Sequence, residues 1–197
     1  MTTHAPFLLE PATTALVLID LQKGILDYAK EPHSSTTVLA HAIALADACR
    51  RAGITLVRVR VGWSADGGDR LTTPVDAPAP AEPAPADWLD EPDGFASYPG
   101  DIDILKHQWG AFYGTALDLQ LRRRGIRTLV LAGIATAIGV ESTARDAYER
   151  GYALVVPEDA CGSPSAASHA HSMTVILPRL ARVRSTAEVL AALHARR

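Results

Sequence analysis

Three places in this 197-residue sequence pair a residue type with a setting that suits chemistry. Asp20 closes the apolar run Ala15-Leu16-Val17-Leu18-Ile19, Lys106 closes the segment from Ile102 to Leu105, and Gly133-Ile-Ala-Thr-Ala-Ile-Gly139 forms a glycine-bounded turn after a third apolar run. A carboxylate directly after so apolar a strand is solvated, caps a helix, or exchanges protons, and acid-base sites are commonly built at such strand ends. A lone lysine is usually solvated. Opposite Asp20, however, it becomes an ion-pair partner that holds the carboxylate ionised or donates to negative charge developing on a substrate. Backbone N–H groups at a helix start bind anionic oxygens, and glycine admits a ligand closely, although a plain strand-to-helix turn explains the same residues.

The elements that must position these groups follow from periodicity. Ala15 to Ile19 is continuously apolar, as in a strand buried on both faces. From Ser35 to about Arg51, Leu39, Ala42, Ile43, Ala46 and Cys49 recur at helical spacing, and Gly53 stands where a helix-ending glycine belongs. Ile54 to Val61 alternates apolar residues with Thr and Arg, which predicts a strand nearer an edge or partly exposed. Further strands are expected at Ile102 to Leu105, Thr128 to Ala132, Ala153 to Val156 and near Val183. Helices are expected from Thr115 to Arg124, after Gly139, from about Ser165 to Leu180, and from Ser185-Thr-Ala-Glu188, which has capping-box spacing. Repeated strand-helix alternation implies a mostly parallel, doubly wound α/β sheet. Ligands bind such sheets beyond the carboxyl ends of the strands where strand order reverses, so Asp20, Lys106 and the glycine turn are expected in one crevice.

Length and composition bound the rest. One domain spanning 1–197 is the default for this length. It is interrupted at about 62–100 by a Pro/Ala-rich insertion whose tract Ala77-Pro78-Ala79-Pro80-Ala81-Glu82-Pro83-Ala84-Pro85 favours extended polyproline geometry. Trp63 and Trp88 suggest that the insertion packs against something. A formal net charge of −3 with interspersed signs offers neither a nucleic-acid stripe nor a polybasic membrane patch. Two cysteines, Cys49 and Cys161, are too few for a disulfide framework, and no leader-like or membrane-length run is visible, so a cytoplasmic location is expected.

Leu18-Ile-Asp20-Leu-Gln22 resembles the opening motif of a known family. Lys106 with Gly110-Ala-Phe112-Tyr-Gly114-Thr115-Ala-Leu117 resembles its lysine block, and Gly133 to Ala147, Gly151-Tyr152 and Glu158-Asp159-Ala160 resemble its third. Together they resemble the isochorismatase-like hydrolases, or cysteine hydrolase family, which includes nicotinamidases, carbamoylsarcosine amidases and isochorismatases. The resemblance implies a six-stranded, Rossmann-like three-layer fold, a homo-oligomer of two or more subunits that help close the pocket, and a cis peptide at Ile134–Ala135. It also implies a site in which Asp20 and Lys106 act beside residue 139, with Gln22, Phe112, Ile134, Ala135 and Ile138 near the substrate.

In most such proteins an Asp, Lys and Cys cooperate, the thiolate attacking an amide carbonyl. Gly139 occupies the cysteine's position here. Cys49 and Cys161 read as buried thiols, and Ser142 and Thr143 as helix-packing residues. The cysteine-free isochorismatases also carry glycine there, and their hydrolysis of a vinyl ether needs a proton donor and water, not a covalent nucleophile. Two features depart from them: Ala135 replaces a substrate-contacting tyrosine, and Val140-Glu141-Ser-Thr-Ala-Arg145 resembles the amidase side. Glu141, Arg145 and Glu149, at i, i+4 and i+8, read as a surface charge ladder. No Asp-x-His pair of the nicotinamidase zinc pattern occurs, and His169 and His171 would face different sides of a helix, so neither metal nor cofactor is expected. Three readings stand: an Asp/Lys hydrolase of a small anionic vinyl ether, an amidase-like hydrolase with water replacing the thiol, and a non-catalytic binding relic. The expected partner is a small molecule, with no nucleic acid or membrane.

Overall fold

A computed structural model describes residues 7–78 and 83–194. Its centre is β1 (Thr14–Ile19), every residue of which is buried, as its unbroken apolar sequence requires. β2 (Thr55–Val61) and β3 (Ile102–Lys106) lie on one side of β1; β4 (Thr128–Ile134), β5 (Ala153–Pro157) and β7 (Arg182–Arg184) lie on the other. The order is β3-β2-β1-β4-β5-β7, all pairings are parallel, and a two-residue β6 (Cys161–Gly162) joins the end of β4. The six expected strands thus form the main path, with β6 as a short addition.

Helices flank the sheet. α2 (Ser35–Arg51) packs on β1, β2 and β4, with α6 (Thr186–His194) beside it, and α4 (Glu141–Glu149) packs on β5. Because β1-to-β2 and β4-to-β5 run in opposite directions across the sheet, right-handed crossovers carry α2 and α4 to opposite faces. The ends of α2 are written locally. Ser34 accepts a hydrogen bond from the Thr37 N–H, and Gly53 takes the left-handed φ of 71° that lets Ile54 N–H reach the Cys49 carbonyl. At α6 the capping box is formed in both directions: Ser185 N–H donates to Glu188 Oε2 at 2.8 Å, and Glu188 N–H donates to Ser185 Oγ at 3.2 Å.

Three expectations need correction. β2 lies one strand in from the edge strand β3, and it is more buried than its alternation implies. Its alternation misleads because Arg58, only 3% exposed, is covered by Glu91, Asp103 and the Phe95 ring. The helix expected from Thr115 starts at Leu117, because the Thr115 hydroxyl accepts the Leu117 N–H and so stays outside α3 (Leu117–Arg123). The segment from Ser165 to Leu180 is helical but not uniform: α5 (Ala166–His171) continues as a π-type turn over Ser172–Ile176 and a 3-10 turn over Leu177–Arg179.

The insertion has no helix or strand among its described residues, and residues 79–82 of its proline tract lie outside them. It nevertheless packs. Trp88 donates its indole N–H to the Val61 carbonyl at 2.7 Å, and its ring lies so close to Gly24 that a Cβ there would sit 2.3 Å from it. Trp63 donates to the His107 carbonyl at 3.0 Å, and the two indoles are 5.9 Å apart. Both tryptophans therefore fasten the insertion across the ends of β2 and β3.

Candidate active site

The chain reverses direction across the sheet between β1 and β4, and Asp20 leaves β1 at that point. Its N–H continues the ladder to the Val59 carbonyl at 2.9 Å, while its φ of 52° turns the chain sharply. Aspartate tolerates this left-handed conformation better than most residues, and such strain collects at functional sites. Lys106, the last residue of β3, reaches past β2 and is 1% exposed. Its ammonium donates to Asp20 Oδ2 at 2.7 Å, the Trp109 carbonyl at 2.8 Å and the Gln108 carbonyl at 3.1 Å. Three donors meet three acceptors, so the cation is held in one place.

Asp20 is treated unequally at its two oxygens. Oδ2 is bound by Lys106, whereas Oδ1 is buried with no hydrogen-bond partner among the described residues. Burial pushes the carboxyl up to about 6, opposed by the charge and hydrogen bond of Lys106. Desolvation therefore wins the contest that the residue types alone leave open.

The turn after β4 supplies the facing wall. Gly133 has φ 131°, and a Cβ there would lie 2.1 Å from the Ile19 carbonyl oxygen, so only glycine lets the ends of β1 and β4 meet. Ile134–Ala135 is a cis peptide. Thr136–Val140 then makes a π-type turn leading into α4. A Cβ on Gly139 would point at the pair, 3.1 Å from Asp20 Oδ2 and 2.9 Å from Ile19 Cγ2. Thr143 joins this turn to the lysine block: its hydroxyl donates to the Gly139 carbonyl at 2.7 Å and accepts the Ala111 N–H at 3.2 Å.

Asp20, Lys106 and Gly139 thus converge. Ile134 and Ala135 are buried in the same turn, and Ile138 is partly buried against the core. Gln22 and Phe112 are placed differently from a substrate contact. The Gln22 amide donates to the Val61 and Trp88 carbonyls and accepts the Val61 N–H, which spends it on tying the insertion to β2. Phe112 is 4% exposed and packs on Tyr152 in the core. Both cysteines are buried, and burial pushes each thiol up to about 12, far from a thiolate. Residue types alone missed Thr143 and the carbonyls of Gln108 and Trp109. A threonine four residues after Gly139 is a weak signal for the first, and nothing in the sequence marks the second.

The geometry accords with what the comparisons find. A family model described as the isochorismatase domain matches residues 14–188. The chain belongs to the isochorismatase family. It is 55% identical to an uncharacterized isochorismatase family protein, YecD, of Escherichia coli O157:H7, with 94% of this chain and 98% of that protein covered. It is 36% identical to the ureidoacrylate amidohydrolase RutB of Methylorubrum extorquens, covering 79% of this chain and 72% of that enzyme. An isochorismatase family protein from Burkholderia thailandensis superimposes with TM-score 0.92 at 42% identity, covering 97% of this chain and 100% of that one. N-carbamoylsarcosine amidase from Thermoplasma acidophilum superimposes with TM-score 0.68 at 26% identity, covering 88% and 96%.

Proposed function

We propose that this family member is a cofactor-free hydrolase of a small anionic vinyl ether, with Asp20 as general acid, Lys106 as its positioning cation and water as the nucleophile. The observation that carries this reading is the asymmetry of Asp20. Lys106 occupies Oδ2, and the free, buried Oδ1 is the atom that can hold a proton and hand it on. A carboxyl raised to about 6 is suited to general-acid work, because enough of it is protonated near neutrality.

In the proposed reaction Oδ1–H protonates the terminal alkene carbon, and the vinyl ether becomes an oxocarbenium ion. Water adds to the cationic carbon and returns its proton to Asp20. The resulting hemiketal expels the alcohol and leaves a ketone, which is pyruvate when the ether is an enolpyruvyl group.

A second reading, hydrolysis of a small amide with water in the thiol's place, is favoured by the similarity to a ureidoacrylate amidohydrolase and an N-carbamoylsarcosine amidase. Against it, Ile19 and Asp20 already crowd the volume that a side chain at 139 would enter. The test is a pyruvate-release assay with isochorismate, run beside ureidoacrylate. The proposal expects ether turnover that Asp20→Asn abolishes. Turnover of the amide alone by the native protein selects the second reading, and silence on both overturns the first for this substrate.

A further inference from the structure

Glu158 lies just after β5, His169 on α5 and His33 ahead of α2, yet one ligand atom from each falls within 4.8 Å of the other two. His33 Nε2 is 2.8 Å and His169 Nε2 is 3.0 Å from the same carboxylate oxygen, Glu158 Oε1. Two imidazole nitrogens and a carboxylate are a donor set suited to zinc and its neighbours among the divalent transition metals. The segments carrying His33 and His169 are also held side by side. Glu31 and Ser163 form a backbone bridge beside His33, and Ser165 caps α5 below His169.

The other side of His169 is equally informative. Its ring is buried, with Nδ1 2.8 Å from Thr136 Oγ1, and that hydroxyl lies 3.1 Å from the Gly162 carbonyl to which it donates. A hydroxyl has one proton. When it goes to Gly162, Thr136 accepts Nδ1–H from His169, and a ring carrying that single proton turns the lone pair of Nε2 towards Glu158. Two acceptors then face each other at 3.0 Å, a contact that a cation between them resolves. A ring nitrogen held by an outer hydrogen-bond partner while the opposite nitrogen takes the ion is the usual construction of a histidine ligand.

We propose that His33, Glu158 and His169 form a binding site for a zinc-class divalent cation, oriented by Thr136. The ion completes its coordination with water, because Glu158 and His33 are partly exposed and leave a path from solvent. At about 2.0–2.1 Å from each ligand in tetrahedral geometry, the ligand atoms stand roughly 3.3 Å apart, so the two histidine–carboxylate spacings need to open by only about half an ångström or less. Thr136 begins the π-type turn that ends in Gly139 and Val140. The ion therefore clamps the turn after β4 to α5 and to the segment before α2, and its role is structural. This pattern is unrelated to the Asp-x-His arrangement of the nicotinamidases, which the chain lacks.

The test is a titration of the chelator-treated full chain with Zn²⁺ by calorimetry and with Co²⁺ by visible absorption. One equivalent should bind, with the intense absorption of a four-coordinate Co²⁺ site, and Zn²⁺ should raise the melting temperature by linkage. His33→Ala and Glu158→Gln should each remove that equivalent while the circular dichroism stays native. Thr136→Val should weaken it about 10- to 100-fold, the signature of an outer partner to a ligand. Should one substitution unfold the chain, the other remains decisive, since His33 and Glu158 lie on separate segments. Absence of a stoichiometric site, or a site that survives both substitutions, overturns the proposal.

Discussion

Asp20 has two oxygens with two neighbourhoods, and most of the proposed chemistry follows from that. Lys106 fixes Oδ2, so replacing the cation should change when Asp20 titrates as well as how well it is held. In Lys106→Met the carboxyl loses both influences that lower it, and its value should climb from about 6 by about 1–3 units. The falling limb of kcat/KM against pH should move upward by the same amount, with a lower maximal rate. The melting temperature should also drop, because the Gln108 and Trp109 carbonyls lose a donor. Gly139→Cys brings a Cβ to 2.9 Å from Ile19 Cγ2 and 3.1 Å from Asp20 Oδ2, so Ile19 must shift slightly to admit it. It should place a thiol beside Asp20 Oδ2, and gain of amide hydrolysis on a panel of small amides would show that the surrounding pocket retains an amide-shaped site. Asp20 and Lys106 were legible in the sequence because each ends an apolar run where a charge has few innocent roles. The direction of Asp20's shift was not, since burial and ion pairing oppose each other and only coordinates weigh them. The hydrogen bonds of Gln22 were illegible for a related reason: what its amide bonds to depends on where the insertion folds back.

At the scale of elements, the site exists because two strand ends approach more closely than side chains allow. Gly133→Ala should therefore be among the most damaging single changes, destabilising by more than about 4 kcal/mol or preventing folding, since its Cβ would meet backbone and not a flexible side chain. Gly125→Ala provides the contrast. It shares a positive φ but has open space around it, so it should cost only about 1–2 kcal/mol in urea denaturation. Equal losses at the two positions would show that close approach at Gly133 is not what matters. Gln22→Leu should cost about 1–3 kcal/mol and loosen the Trp88 segment, which limited proteolysis of the insertion can detect. Strand positions were readable from continuous apolar runs, and helix ends from Ser34, Gly53 and Ser185. The burial of β2 was underestimated because Arg58 looked solvent-facing, whereas its cover comes from Glu91 and Phe95, far along the chain in a segment without periodicity.

For the whole molecule, parallel order β3-β2-β1-β4-β5-β7 sets a switch point between β1 and β4, and that topology gathers residues 20, 106 and 139. The general rule for such sheets made the convergence of these three residues predictable from the sequence. The cluster of His33, Glu158 and His169 was invisible by comparison, because its members share no spacing and meet only after three segments have packed. The central claim is that Asp20 delivers a proton and no covalent intermediate forms. Its most direct test is the pH dependence of kcat/KM for pyruvate release from isochorismate, which reports the ionisation of the free enzyme. A general acid is active while protonated, so the rate should be flat below about 6 and fall roughly tenfold per pH unit above it, with no activity in Asp20→Asn. A rate that rises through the same range, or turnover that survives Asp20→Asn, would contradict the account.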